Sequence, residues 1–222
     1  MRPAPRASAT DGGSSSRVDE RLDLVATVLL ALATVATAWS GYQASRWNGE
    51  QAKAFSRATA ARIESTKTSA LANAQTQIDV ATFTQWVDAY ARNETRLADF
   101  YFARFRKEFK PAVIAWIATR PLRNAHAPLT PFAMPRYKVA AREASQREDI
   151  KAELFSAKGR TDVQRATNYV LCAVLFAAAL FFAGMSAKLG TPRLRRALLA
   201  FGTVVFVGTV AWIATFPVSI SV

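Results

Sequence analysis

The 222-residue chain carries 29 Lys and Arg against 16 Asp and Glu, a formal charge of +13, and 51% of its residues are apolar. That apolar content excludes a disordered tail protein. One cysteine, Cys172, excludes an intrachain disulfide and any multi-cysteine metal site, and one histidine, His126, excludes a His–His metal pair.

In chain order, residues 1–21 come first, with Pro3, Pro5, Gly12, Gly13 and Ser14–Ser16. This composition predicts a disordered tail. Leu24 to Ser45 is then a run of 22 residues without a charge. Two further uncharged runs follow, 22 residues from Ala166 to Ala187 and 26 from Ala197 to Val222. About 20 apolar residues suffice to cross a bilayer as a helix. The reading is therefore three transmembrane helices over 22–45, 166–187 and 197–217, with a short tail at 218–222. Trp39, Tyr42, Trp47, Tyr169 and Trp212 lie near their ends, where amphipathic rings favour the headgroup level. Arg17, Arg21, the apolar stretch and Ala36-Thr37-Ala38 also resemble a signal peptide cleaved within residues 1–38. The uncharged run continues past that site, and Asp19, Glu20 and Asp23 precede it, so a retained span is expected.

Charge sets the orientation. Residues 188–196 join the second and third runs and hold Lys188, Arg193, Arg195 and Arg196 with no acid. Basic residues in short connections mark the cytoplasmic side. Three spans place the N-terminal tail on that same side, and residues 46–165 on the other. This long segment has 21 basic and 12 acidic residues, net +9. Long segments cross largely regardless of charge.

The outer segment reads as helical. No Gly or Pro occurs from Glu50 to Lys110, and Val80, Phe83, Val87, Tyr90, Leu97, Tyr101, Phe105 and Phe109 recur at helical spacing. Asp88/Arg92, Arg104/Glu108 and Glu143/Arg147 are i,i+4 pairs. Pro111 marks a kink or break and Ala112–Thr119 a short apolar helix. Pro121, Pro128, Pro131 and Pro135 make 121–136 a loop. Helix resumes at Tyr137, with a bend expected at Gly159 and a helix cap at Asp162. A helix from Arg46 to Lys110 would run about 98 Å, against about 44 Å for Tyr137–Arg165. The mismatch predicts a turn near Asn73–Asp79 and three long outer helices. The fold class is all-α, with an antiparallel helical bundle between the first and second spans.

Ala36-Thr-Ala-Trp-Ser-Gly-Tyr-Gln-Ala44 followed by Arg46-Trp47 resembles a family of uncharacterised bacterial integral membrane proteins. So do Phe83-Thr-Gln-Trp-Val-Asp-Ala-Tyr90, Thr130-Pro-Phe-Ala-Met-Pro135 and Asn168-Tyr-Val170. The resemblance covers most of the chain from residue 22 onward. It implies a bacterial cytoplasmic membrane protein and no particular activity.

The sequence has no phosphate-binding glycine loop, no H-E-x-x-H and no G-x-S-x-G. His126 reads as a solvated loop residue, Cys172 as a small packing residue, and Asp149 with Glu153 as a wet helix face. No catalytic residue, cofactor or metal is expected. Two groups of residues stand out instead. Ala33, Thr37 and Gly41, and Ala179 and Ala183, are small residues at four-residue steps, which favour close helix contact. Arg104, Arg106, Lys107 and Lys110 alternate with phenylalanines and form the densest cationic cluster, suited to polyanions or lipid headgroups. The expectation is a non-enzymatic protein whose outer bundle serves interaction, sensing or scaffolding. Its partners are the lipid bilayer and either another membrane protein or further copies of itself, and no nucleic acid. The alternative is a small homo-oligomeric channel or transport accessory subunit, with Thr34, Thr37, Ser40, Gln43 and Ser45 of the first span as its only pore-lining candidates.

Overall fold

A computed structural model of the chain describes residues 12–189 and 191–219, with side chains from Glu20 onward. Every regular element among them is helical: α1 Gly12–Ala91, α2 Thr95–Arg104, α3 Lys110–Ala118, α4 Ala140–Ser186 and α5 Pro192–Ile213, with a 3-10 turn at Pro131–Ala133. α1 begins at Gly12, so the backbone of the expected tail is helical over 12–21. Residues 1–11 of that tail, and 220–222 at the other terminus, lie outside the described residues.

Three helices are long and apolar enough to cross a membrane, and they are α1, α4 and α5. The sequence predicts their apolar runs but not how far two of them extend. α1 continues without interruption to Ala91 and α4 starts at Ala140. Three sequence expectations are corrected here. The stretch Asn73–Asp79 is helix, not a turn. Asn and Asp lower helix propensity by only about 0.7 kcal/mol each, and Asp79 is held in the fold by tertiary partners described below. Asp162 sits inside α4, buried, rather than capping it. The segment 46–165 therefore has two long helical stretches instead of three. Its extra length is taken up by α2, α3 and the proline loop.

The helix ends follow local chemistry. α1 stops at Asn93, which adopts φ 60°, while its N–H bonds to the Tyr90 carbonyl and the Glu94 N–H bonds to that of Ala89. This is a Schellman closure, with asparagine at the left-handed position. Pro111 and Pro192 occupy the first turns of α3 and α5, where a missing N–H costs nothing.

The chain divides into two compact units, one formed by Met1–Ala54 with Ala157–Val222 and the other by Phe55–Ser156. In the first unit Ala26 and Leu29 of α1 pack with Ala183 of α4 and Leu199 of α5. A second cluster joins Ala44, Trp47, Ala166 and Tyr169, with Phe216 against it. Gly202 sits so close to α4 that a Cβ there would lie 3.3 Å from the Ala179 carbonyl oxygen and from Phe182 Cβ. Around this apolar interior the surface is apolar too. Leu24, Leu32, Val35, Val174, Phe181 and Val204 face outward, while Ser40 and Gln43 are fully buried. Asp23 pairs with Arg195, bringing the start of the first apolar run to the 188–196 connection.

In the second unit a narrow seam of Ala58, Ala61, Ser65 and Ala72 on α1 and Ala152 on α4 is buried, and the Ser145 hydroxyl donates to the Ser65 carbonyl at 3.0 Å. Beyond it lies an aromatic core of Phe83, Trp86, Phe105 and Phe109, with Ala112 and Val113 of α3. Phe132 stacks on Phe109 with ring centroids 5.1 Å apart, and Tyr137 meets both rings edge-on.

Candidate functional site

The aromatic core rests on one buried ion pair. Asp79 is 0% exposed. Arg106 donates from Nε to its Oδ1 at 3.2 Å and from Nη2 to its Oδ2 at 2.8 Å, a bidentate pairing. The Tyr137 hydroxyl donates to the same Oδ2 at 3.2 Å. Arg106 also pairs with Glu108. Hydrogen bonding to Asp79 raises the Arg106 pKa, so the guanidinium stays charged. Burial, with the neighbouring Asp79 charge, raises that of Tyr137. These contacts tie the 105–109 linker and the end of the proline loop to α1. They fix what packs on either side.

One such feature is a groove of about 600 Å³. Its α1 wall is Trp86, Val87 and Tyr90, which share a face because three- and four-residue steps do. The Trp86 ring stacks between Phe83, at 5.8 Å, and Tyr90, at 5.5 Å. Trp116 and Ile117 of α3 form the opposite wall. Trp116 is fixed at both edges: its ring meets Phe83 at 5.4 Å, and its Nε1–H donates to the Pro128 carbonyl at 2.7 Å. The turn Arg120–Arg123 closes one end of the groove. Arg120 adopts φ 54°. Its N–H bonds back to the Ile117 carbonyl, ending α3, and the next residue is Pro121, which has no N–H to continue the helix. A left-handed non-glycine residue costs roughly 1–2 kcal/mol. Such strain gathers at binding sites. The Arg120 and Arg123 side chains are exposed and have no ion-pair partner among the described residues, and Leu122 between them is 87% exposed. Asp88, beside Val87 in the chain, is paired with Arg92 at 3.0 Å, as the spacing predicts.

The sequence-derived residues fall elsewhere. The four cations of the Arg104–Lys110 cluster do not present one free charged patch. Arg106 turns inward to Asp79, the Arg104 guanidinium lies 3.5 Å from the Phe100 ring centroid, and Lys110 lies 4.9 Å from that of Phe102. Lys107 is exposed. The Arg104/Glu108 pair is replaced by Arg106/Glu108. Ala33, Ala179 and Ala183 are fully buried within the chain, Thr37 is half-buried, and Gly41 is exposed, with nothing within 4 Å of the position a Cβ would take. The hydroxyls of Thr34, Thr37 and Ser40 donate to carbonyls four residues earlier on α1. Gln43 accepts a hydrogen bond from the Ser219 N–H at 3.1 Å. Among the described residues no group of three or more His, Cys, Asp or Glu is placed to hold a metal ion.

Sequence reasoning missed Trp86, Trp116, Arg120 and Arg123 as one site. Trp86 and Trp116 are thirty positions apart, and only the fold brings them together. The one local signal was Arg120-Pro121 after an apolar helix, which marks a forced stop with a charged residue at its edge. Comparison with protein-family models, curated proteins and solved structures finds no match to this chain.

Proposed function

We propose that the protein is a multi-pass protein of a bacterial cytoplasmic membrane and that its Phe55–Ser156 unit is an extracytoplasmic recognition module, not an enzyme. The groove between α1 and α3 carries this reading. It combines aromatic walls, two unpartnered guanidinium groups and a left-handed residue at one edge, and its size falls within the range of ligand sites, about 300–1,000 Å³. The outward-facing leucines, valines and phenylalanines around buried Ser40 and Gln43 support membrane insertion of α1, α4 and α5. The basic 188–196 connection, which Asp23 meets through Arg195, supports a cytoplasmic location for that end.

Photo-crosslinking tests the recognition role. A photoreactive residue is placed at Leu122, beside the groove, and in a control at Ile150, an exposed apolar position on α4. In native membranes an adduct is expected from Leu122 and not from Ile150. No adduct, or the same adducts from both positions, overturns the reading.

A further inference from the structure

We propose that the groove binds an amphipathic organic anion, with an apolar or planar body against Tyr90 and Trp116 and its carboxylate held by Arg120 and Arg123. The proposal deepens the recognition reading and rests on it. The choice of charge follows from two opposed effects. Faces of Trp and Tyr attract cations when the ring is within about 6 Å, and an all-aromatic groove would suit an ammonium group. Two exposed guanidinium groups at the same groove oppose this. Neither is neutralised within the chain among the described residues, and Asp88, next to the groove residue Val87 in sequence, is paired with Arg92. A full charge outweighs a ring quadrupole, so the site selects an anion.

The choice of body follows from the walls. Val87, Tyr90, Trp116 and Ile117 present carbon surface over the buried Trp86, and Leu122 adds an exposed side chain between the two arginines. An inorganic anion would leave that surface wet. A neutral hydrocarbon would leave both arginines unused. Arg120 supplies a further argument. The left-handed position after a helix is most favourable for glycine, and an arginine there adds strain while placing a cation at the groove. The Arg fork matches carboxylate geometry, and a lysine would be a poorer substitute.

The test uses the full chain in nanodiscs of zwitterionic lipid. It follows tryptophan emission on titration with decanoate, and with decanol as the neutral match. Empty nanodiscs correct for partitioning. Saturable binding of decanoate, at least tenfold tighter than decanol, is expected. The double variant R120Q/R123Q should lose at least tenfold in decanoate affinity while keeping its thermal midpoint, since both side chains are exposed. Equal affinity for the two probes, an unchanged double variant, or no saturable response overturns the proposal. A Leu122 photo-adduct that proves to be a protein would leave the recognition role standing and overturn the small-anion assignment. The absence of any adduct would remove the recognition role itself.

Discussion

Replacing Asp79 with alanine should loosen the Phe55–Ser156 unit by about 3–4 kcal/mol. Asp79 is fully buried, and Arg106 retains only 20% of its side-chain exposure. Removing one member of such a pair typically costs about 3–5 kcal/mol, because the other charge stays in a poorly solvated place. Glu108, 43% exposed, keeps part of the Arg106 charge satisfied, which puts the loss at the lower end of that range. The Tyr137 hydroxyl loses its carboxylate acceptor as well, adding about 1 kcal/mol. The total of about 3–4 kcal/mol corresponds to roughly a 140- to 700-fold fall in amide-exchange protection at one decade per 1.4 kcal/mol. Hydrogen exchange of the α3 amides, measured on the full chain in nanodiscs, reads this directly. The double variant D79L/R106M removes both charges together and should lose far less, about 1 kcal/mol. A D79A variant with less than fivefold faster exchange would refute the idea that this ion pair holds the aromatic core together.

Three further outcomes follow from the same contacts. Tyr137 has a raised folded-state pKa, so its contribution is fully present below its unfolded value near 10 and is lost as pH rises above that; exchange protection of the unit should fall above about pH 10, and Y137F should flatten that fall. R120G should raise the stability of the same unit by about 1 kcal/mol by relieving the left-handed arginine, seen as slower exchange at Ile117–Asn124, while weakening ligand capture. G202L should lower the thermal midpoint of the protein through about 1–3 kcal/mol of overpacking against Ala179 and Phe182, whereas G208L, with nothing within 4 Å of its Cβ position, should leave it unchanged.

What could be read from the sequence was whatever depends on near neighbours. Three uncharged runs sufficed to locate the apolar helices, since length and hydropathy alone decide whether a helix can cross a bilayer. The proline loop was legible as a break for the same local reason, whereas Pro111 falls in the first turn of α3 and the chain leaves the helix before it, at 105–109. The Phe83, Phe105 and Phe109 periodicity pointed to buried positions, though the structure spreads them over α1 and the 105–109 linker instead of one helix. Val80, Val87 and Tyr90 of the same pattern are exposed, because only one side of α1 is covered at this level. The stretch Asn73–Asp79 was read as a turn. The helical place of Asp79 depends on Arg106, 27 positions away, and on Tyr137, 58 away, which no local pattern reveals. The cationic cluster was visible, but the carboxylate and rings that engage three of its four members were not. The groove was illegible for the same reason, since its walls come from segments separated by thirty residues and a turn.

The proposed function requires that the Phe55–Ser156 unit face the outer side of the membrane and residues 188–196 the inner side. In a Cys172→Ser background, single cysteines at Leu122 and at Thr191 can be treated with a membrane-impermeant maleimide in intact spheroplasts and again after lysis. Labelling of L122C in intact spheroplasts, with T191C labelled only after lysis, is the predicted result. Labelling of T191C in intact spheroplasts, or protection of L122C until lysis, would contradict it.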